Sequence, residues 1–424
     1  MTNDPQGPWR PILQGPGAEQ AFAAAEEIAG ALLGLRAAGP RHCGLSELAG
    51  WSLFFAYLDR ARPGRGYLDQ AAGLLEAAVA GLGRSHSPPS LYAGFPGVAW
   101  VVEHLKGWVL ADDEEDDPGE EIAAAVCRLL ERSPWRGDHD LLSGLAGLGV
   151  YALERAPRRW GRESLEAAVA RLAETAERRP EGVAWRSSPE VMGPKVAQQY
   201  PRGNFDLGVA YGAPGIAALL ALASAAGVAA RPLLDESVAW LLAQRLPAGE
   251  RSVFPHVVAP EQPPQPARLA WCHGDLGVAA ALLLAARCTG EPDWEREALE
   301  TARTAAGRSP EISGVVDAPL CHGAAGNAHL FNRIYQATGD PACAAAARFW
   351  LERTLALRRP GEGIGGYLSW DTGDMGNRVG WREDPSFLWG ATGIGLALLA
   401  AASSVEPAWD RLLLASIPPR PEFC

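Results

Sequence analysis

Amphipathic and strongly apolar segments alternate along the whole chain. Residues 17–38 carry apolar and charged positions at helical spacing, and Ser46 to Leu58 then form a much more apolar run. The same couplet returns six more times, with amphipathic segments near residues 66–83, 119–133, 163–179, 231–246, 293–308 and 340–358. Amphipathic helices are typical of protein surfaces, and uniformly apolar helices are typical of cores. The pattern therefore predicts seven helix pairs with the apolar helices inside.

Each apolar segment is marked at its start by glycine. Six copies read Gly-x-x-Gly, and the first copy is degenerate, with Glu47-Leu-Ala-Gly50 in the equivalent place. The complete copies begin at Gly94, Gly144, Gly212, Gly274, Gly323 and Gly390. Glycines at i and i+3 share one helix face, so they predict close backbone approach where the inner helix ends crowd together. Seven pairs in phase predict an all-α fold, one α/α toroid of seven inner and seven outer helices over residues 1–424; an open helical solenoid is the alternative.

Three segments between the repeats lack helical periodicity. They are residues 180–206, 247–268 and 359–388, which combine prolines, arginines and aromatic residues. Each is predicted to be an inserted loop or small β element on the face that carries the inner-helix starts, and residues 180–206 are the strongest candidate. Loops around a central pocket commonly carry recognition.

Composition narrows the class of protein. The 424-residue chain is 48% hydrophobic and 21% charged, which is a normal globular balance. Its net charge of -12 argues against general nucleic-acid binding, which needs a basic face. The N-terminus has no cationic start followed by an apolar core, and no run reaches the ~20 apolar residues of a membrane helix. We expect a cytoplasmic protein without direct membrane insertion, whose cysteines are thiols, metal ligands or nucleophiles rather than disulfides.

The tripeptide Cys-His-Gly occurs twice in the same local frame. Its copies at residues 272–274 and 321–323 each end at the first glycine of a repeat. Thiolate and imidazole are ligands that zinc prefers, and the starts of two adjacent inner helices could bring them together. Four ligands (Cys272, His273, Cys321 and His322) would close a structural site, whereas three would leave a position open for a substrate. The residues alone leave both arrangements open.

Three further polar residues fall near the same helix starts. Tyr211 occupies the frame of His273 and His322, directly before the first glycine of its repeat. Asp140 and Arg268 lie in neighbouring loops and could reach a central pocket. Taken singly, Asp140 is an ordinary candidate for a helix N-terminal cap or dipole partner, and Arg268 for a surface cation.

These features resemble the lanthionine synthetase C family, the lantibiotic cyclases. The resemblance covers essentially the whole chain, and its specific motifs are Arg-x-x-Trp-Cys-x-Gly at residues 268–274 and Cys-His-Gly at residues 321–323. It implies an α/α toroid with one catalytic zinc ion held by Cys272, Cys321 and His322, and a fourth position open to water or substrate. It also implies functional roles for Asp140 and Arg268.

The chain departs from the family pattern at one pair of positions. The family usually has His before the glycine of the fourth repeat and Tyr between the zinc Cys and the Gly of the fifth, whereas this chain has Tyr211 and His273. If the two positions face each other across the pocket, the acid/base pair survives as an exchange. Whether His273 is instead a fourth zinc ligand stays open at this point.

The resemblance implies an intramolecular Michael addition in a dehydrated precursor peptide. A cysteine thiolate of the peptide would attack the β carbon of a dehydroalanine or dehydrobutyrine, which forms a lanthionine or methyllanthionine ring. His273, or else Tyr211, would protonate the enolate at the α carbon. Asp140 would orient or charge-stabilise the histidine, and Arg268 would stabilise the enolate oxygen. A dehydratase and an exporter are the expected further partners in a biosynthetic complex.

Three other functions stay open from the sequence. A carbohydrate-active toroid would use paired Asp or Glu residues, and the inner-helix starts are poor in carboxylates. A non-catalytic peptide-binding scaffold would use zinc only as a staple. A glutathione-type addition enzyme would apply the same zinc chemistry to another thiol.

Overall fold

Alternating inner and outer α-helices make up most of the computed structural model. The structure describes residues 9–39, 41–84, 87–111, 117, 119–156, 158–260, 262–373 and 378–418. Within these ranges, none of the helices combines the length and the apolar character that a membrane span requires.

Seven helices of the described residues are buried on nearly every side. They are α2 (Leu48–Ala61), α4 (Phe95–Leu105), α6 (Leu145–Arg155), α9 (Ala213–Ala225), α11 (Asp275–Thr289), α14 (Ala324–Thr338) and α16 (Ala391–Ala402). In α11 every residue from Asp275 to Ala286 is buried. These are therefore the inner helices that the apolar runs predict.

The other long helices in the described part of the chain, again seven, bury less of their surface. They are α1 (Gly15–Ala37), α3 (Tyr67–Leu82), α5 (Glu120–Leu130), α7 (Gly161–Thr175), α10 (Arg231–Ala243), α12 (Pro292–Ala306) and α15 (Pro341–Ala356). In α12 the buried residues are Ala298, Thr301, Ala302 and Ala305, which share one face at spacings of three and four. A single buried stripe identifies an outer helix.

The ring closes because the first helix packs against the last. Each inner helix contacts the next one, and α16 contacts α2. Most inner helices pack chiefly on the outer helix that follows them in the chain, and α16 is covered by α1. The N–H groups of Ile12 and Leu13 donate to the carbonyl of Ala401 at 3.0 and 2.9 Å. The closed toroid is therefore confirmed, and the open solenoid is excluded.

The second position of each motif has room only for glycine, because the preceding turn packs directly against it. In all seven repeats a methyl group at this position would overlap the carbonyl oxygen of a residue five or six positions earlier. At Gly326 that oxygen belongs to Leu320. The sequence predicts close approach between different helix ends. At these glycines the close contact is instead mainly within one repeat, where each loop folds back onto the start of its own helix.

Backbone hydrogen bonds join the turns that precede the inner helices. The Leu141 N–H donates to the Ala210 carbonyl at 3.1 Å, and the Phe387 N–H donates to the Leu45 carbonyl at 3.3 Å. These bonds link the third repeat to the fourth and the seventh to the first. The helix starts are thereby gathered on one face of the ring.

The first two insertions pair into one small sheet. Residues 180–206 contain β2 (Gly182–Ala184), β3 (Arg186–Ser187), the short helix α8 (Pro194–Gln199) and β4 (Asn204–Asp206). Strand β5 (Val257–Val258) of the second insertion completes the antiparallel order β3-β4-β5. Strand β1 (Glu177–Arg179), where the periodicity predicts the end of an outer helix, pairs with β2 instead. Small β insertions are therefore present as predicted.

The remaining short elements belong to the later loops. They are α13 (Pro310–Ser313), β6 (Ser369–Asp371) and β7 (Gly380–Arg382). Strands β6 and β7 pair antiparallel within the third insertion, of which residues 374–377 lie outside the described part of the chain.

A C-terminal 3₁₀ helix, Ala408–Leu413, packs against several repeats at once. Its fully buried Asp410 bonds to His329 of α14, with 2.7 Å between Oδ2 and Nε2. Trp271 Nε1, in the turn before α11, donates to the Leu413 carbonyl at 2.9 Å. The segment therefore ties separate inner repeats together.

Candidate metal and proton-transfer site

Cys272 and Cys321 lie side by side because the turns that carry them are hydrogen-bonded. The N–H groups of Trp271 and Cys272 both donate to the Cys321 carbonyl at 3.2 Å, and the Cys321 N–H donates to the Leu388 carbonyl at 2.9 Å. Both thiols are buried, with 6% and 5% of the two residues exposed. The repeat frame thus brings two thiols from adjacent turns to one point.

These two thiols and one imidazole form a group that could hold a metal ion. The ligand atoms of Cys272, Cys321 and His322 all lie within 4.8 Å of one another. In a tetrahedral zinc site the ligand atoms stand about 3.3–3.8 Å apart, so a small contraction of this group would suffice. Within the described residues this is the one such group, and His273 is not part of it. The residues present therefore fit a metal with three protein ligands.

The two thiols differ in acidity. Hydrogen bonds from Cys321, His273 and His322 hold the pKa of Cys272 well below its ordinary value, although burial opposes this shift. The pKa of Cys321 is raised well above its ordinary value by its bond to Cys272 and by burial. A thiolate is therefore favoured at Cys272, and thiolate is the form that binds metals.

His273 is bound by a carboxylate that the sequence analysis does not identify. Its Nε2 lies 2.9 Å from Oδ2 of Asp206, the last residue of β4. The other carboxylate oxygen, Oδ1, accepts the Gly208 N–H at 2.6 Å. Burial alone would lower the pKa of His273, but the Asp206 carboxylate and Cys272 raise it to about 10.

Tyr211 and His273, the two exchanged residues, are direct neighbours. Their rings stack with centroids 5.9 Å apart and an interplanar angle of 29°. Burial and the two nearby thiols raise the pKa of Tyr211 well above its ordinary value. The phenol therefore stays protonated at neutral pH, next to the imidazole.

The carboxylate of Asp140 is hydrogen-bonded within its own turn, to Ser143. Its Oδ1 accepts the Ser143 N–H at 2.7 Å and the Ser143 hydroxyl at 3.2 Å. Burial raises the pKa of Asp140 to about 6. Among the described residues no hydrogen bond joins Asp140 to His273, which is bound to Asp206 instead. The carboxylate that bonds His273 thus comes from strand β4, and a functional role for Asp140 stays a prediction.

Hydrogen bonds hold the backbone on both sides of Arg268, whereas its guanidinium has no hydrogen-bond partner among the described residues. Arg308 Nη1 donates to the carbonyl of Ala267 at 3.1 Å, and the Leu269 N–H donates to the Ser313 carbonyl at 2.8 Å. The positive charge of Arg268 lowers the pKa of Cys321 and so opposes the rise that Cys272 and burial cause. Within the described part of the chain its guanidinium makes no hydrogen bond or salt bridge.

A second carboxylate lies behind His322. Asp317 is 1% exposed, and its Oδ2 lies 3.9 Å from His322 Nε2 and accepts the Trp370 N–H at 2.9 Å. Its Oδ1 has no hydrogen-bond partner among the described residues. The separation is too long for a hydrogen bond, so the carboxylate acts on the ring through its charge, which favours a higher pKa of His322.

The sequence does contain a signal for both missed carboxylates. Asp206 and Asp317 each stand six residues before the first glycine of their repeats, a position that Arg268 occupies in the fifth repeat. Asp138 and Asp384 occupy it in two further repeats. This position therefore points towards the same face as the cysteines and histidines of the motif.

Comparisons with known proteins give a family match and a structural match. The family model of the lanthionine synthetase C-like proteins matches residues 46–414. Among solved structures, nisin cyclase matches with a TM-score of 0.75 at 19% sequence identity, over 92% of this chain and 96% of that chain. At this identity the structural likeness speaks for the fold, and it covers both chains almost completely.

Proposed function

Because the chain belongs to the lanthionine synthetase C-like family, we propose that it is a zinc-dependent lanthipeptide cyclase. Its substrate would be a dehydrated precursor peptide with free cysteine thiols and dehydroalanine or dehydrobutyrine residues. The observation that carries the proposal is the gathering of Cys272, Cys321 and His322 beside the stacked rings of Tyr211 and His273. The activity would place the chain in the cytoplasm, together with the dehydratase and exporter of its peptide.

The donor set supports zinc as the metal. Two thiols and one imidazole suit a tetrahedral ion and leave its fourth position free. A zinc ion held there would supply a Lewis acid that keeps a substrate thiol deprotonated at neutral pH. The side chains of His273 and His322 are 24% and 15% exposed, so a peptide can reach the group from the pocket face.

The proposed reaction needs no further reactant. One carbon–sulfur bond forms at the β carbon, and the electrons of the carbon–carbon double bond move to the neighbouring carbonyl oxygen as an enolate. The thiol loses one proton and the α carbon gains one, so the ring has the same mass as the open peptide. The chain must therefore deliver a proton and stabilise a negative oxygen.

We assign the proton delivery to His273, with Tyr211 as the second candidate. His273 bonds to Cys272 and Tyr211 stacks on His273, and a phenol is the weaker acid of the two. Arg268 is the candidate for the enolate oxygen, because its guanidinium is uncommitted among the described residues. Asp140 contributes negative charge near Tyr211 and raises the pKa of that phenol.

The direct test counts thiols in a peptide treated with the zinc-loaded protein. The peptide is a dehydrated precursor that carries cysteines together with dehydroalanine or dehydrobutyrine residues, and alkylation followed by mass spectrometry reports its free thiols. We expect the loss of one free thiol per ring at unchanged peptide mass. Thiols that stay free beside a zinc-loaded protein would refute the proposal in favour of a scaffold. A mass increase by glutathione, when that thiol is supplied, would refute it in favour of addition to another thiol.

A His273→Ala variant separates proton transfer from metal binding. General acid catalysis typically contributes about 100- to 10,000-fold, so we expect a loss of cyclisation rate in that range with zinc content unchanged. Zinc content is measured by elemental analysis of the purified variant. The matched control is His42→Ala, which removes an exposed histidine and should change neither quantity. Loss of zinc from His273→Ala would instead make this residue a ligand.

An Asp317→Asn variant tests the carboxylate behind His322. Changes to residues that hold a metal ligand typically cost about 10- to 100-fold in affinity, and we expect a loss of zinc affinity of this size. Competition with a coloured chelator measures it without any need for activity. Glu311→Gln, an exposed carboxylate earlier in the same loop, is the control and should leave the affinity unchanged. Equal affinities for the wild type and Asp317→Asn would show that Asp317 does not support the ligand.

A further inference from the structure

The carboxylate of Asp206 is held at both oxygens. Oδ1 accepts the Gly208 N–H at 2.6 Å, and Oδ2 lies 2.9 Å from His273 Nε2. Asp206 is only 8% exposed, so water competes little for these bonds. The carboxylate therefore has one orientation, and that orientation meets the imidazole.

The strand that carries Asp206 is itself anchored. The N–H of Leu207 donates to the His256 carbonyl at 3.0 Å, which joins the end of β4 to the second insertion. That insertion is tied to α11, because fully buried Asp275 accepts the Val253 N–H at 3.0 Å. Asp206 thus contacts His273 from a strand end that is hydrogen-bonded to the second insertion, rather than from a free loop.

This contact selects the working nitrogen of His273. Nε2 can carry one hydrogen, and a carboxylate at 2.9 Å accepts it. Nδ1 is then the nitrogen left for the metal side of the ring, where His273 also bonds to Cys272. Asp140 does not contribute, because its carboxylate is bound to Ser143.

We propose that Asp206 is the positioning residue of the proton-transfer histidine, an inference that rests on the proposed cyclase function. By holding the Nε2–H of His273, it directs Nδ1 towards the α carbon of the substrate enolate. In this chain His and Tyr are exchanged between the fourth and fifth repeats, and the carboxylate that bonds the histidine is a different one as well. Asp206 takes the task that the family resemblance implies for Asp140.

An Asp206→Asn variant tests this role with an isosteric side chain. If the new amide oxygen keeps the Gly208 N–H, the amide nitrogen faces Nε2 of His273 and cannot accept its hydrogen. To give a proton from Nδ1 while Nε2–H stays on the carboxylate, the ring must carry both hydrogens, and the ring with a single hydrogen that the amide leaves is a much weaker acid. We therefore expect kcat to fall about 100- to 10,000-fold. KM, zinc content and the melting temperature should change little. In 15N-labelled zinc-loaded protein, Nε2 should carry a hydrogen in the wild type and lose it in the variant.

The control is Glu190→Gln, an exposed carboxylate in the same insertion, which should alter neither kcat nor the nitrogen signals. Three results overturn the inference: a wild-type spectrum without hydrogen on Nε2, an Asp206→Asn variant that keeps its kcat, or one that loses zinc or its fold together with activity. A wild-type chain that leaves the dehydrated peptide open refutes the proposed function instead. In that case the nitrogen signals of wild type and variant still decide whether Asp206 keeps a hydrogen on Nε2 of His273.

Discussion

A Cys321→Ala variant is expected to lose both zinc and ring formation. Cys321 supplies one of three possible ligands and also accepts the backbone hydrogen bonds that join the two cysteine turns. Because changes behind a ligand already cost about 10- to 100-fold in metal affinity, the loss of a direct ligand should cost at least about 100-fold. Elemental analysis after dialysis gives the zinc content, and thiol alkylation of the dehydrated peptide gives the activity. The backbone bonds remain in alanine, so the fold should persist.

The matched control for this variant is Cys343→Ala. Cys343 is also buried, but it lies on the outer helix α15 and outside the metal group. It should retain one zinc ion per chain and full cyclisation. Stoichiometric zinc in Cys321→Ala would contradict the assignment of this thiol as a ligand.

An Asp410→Asn variant is expected to lose about 3–5 kcal/mol of the free energy of unfolding, the usual cost of breaking a buried ion pair at one partner. Asp410 is fully buried, and its Oδ1 accepts Arg333 Nη2 at 3.0 Å while Oδ2 bonds His329 Nε2 at 2.7 Å. Removal of the carboxylate leaves the buried guanidinium of Arg333 with Glu406, whose side chain is 33% exposed, as its remaining acidic partner. The 3₁₀ helix would keep the stacking of Trp409 on His329 but lose the charged part of its link to α14. Urea denaturation followed by tryptophan fluorescence measures the change.

An exposed ion pair provides the contrast. Arg162 and Glu166 pair on α7 at 2.9 Å with side chains 56% and 50% exposed. Such surface pairs contribute about 0–1 kcal/mol, so Glu166→Gln should leave the unfolding curve almost unchanged. If Asp410→Asn were as mild as Glu166→Gln, the C-terminal segment would not be what ties the repeats together.

The helices and the metal group could be predicted because their signals are local and repeated. An inner helix such as α11 is apolar at every position from Leu276 to Ala286, and an outer helix such as α12 has one buried stripe, so periodicity alone separates them. Cys272 and Cys321 occupy one frame in adjacent repeats, and a ring of repeats brings equivalent positions to one face. Local pattern and global symmetry point to the same answer.

The frame position of Asp206 and Asp317 marks them as candidates, but the histidine that each contacts could not be predicted, because the pairing depends on contacts between distant segments. Asp206 reaches His273 through β4, whose pairing with β5 joins two insertions of irregular sequence. A two- or three-residue strand has no periodicity that would fix its register. Asp317 stands in the same frame position, but nothing in its neighbourhood in sequence indicates that its side chain lies behind His322.

The C-terminal 3₁₀ helix illustrates the same limit. Its six residues, Ala408–Leu413, follow the last repeat and show no repeat motif. Their anchoring partners, among them His329 and Trp271, come from inner repeats far away along the chain. Burial of Asp410 is a property of the closed ring, so it follows only once the ring is known.

The central claim is that Cys272, Cys321 and His322 hold zinc and leave its fourth position for a substrate thiol. Zinc-edge X-ray absorption tests this most directly, with the precursor peptide added before dehydration so that it carries thiols but cannot form rings. The account predicts two sulfur neighbours of zinc in the free protein and three when the peptide is bound. A zinc ion that keeps two sulfur neighbours in the presence of saturating peptide would contradict it and would identify the metal as a structural staple.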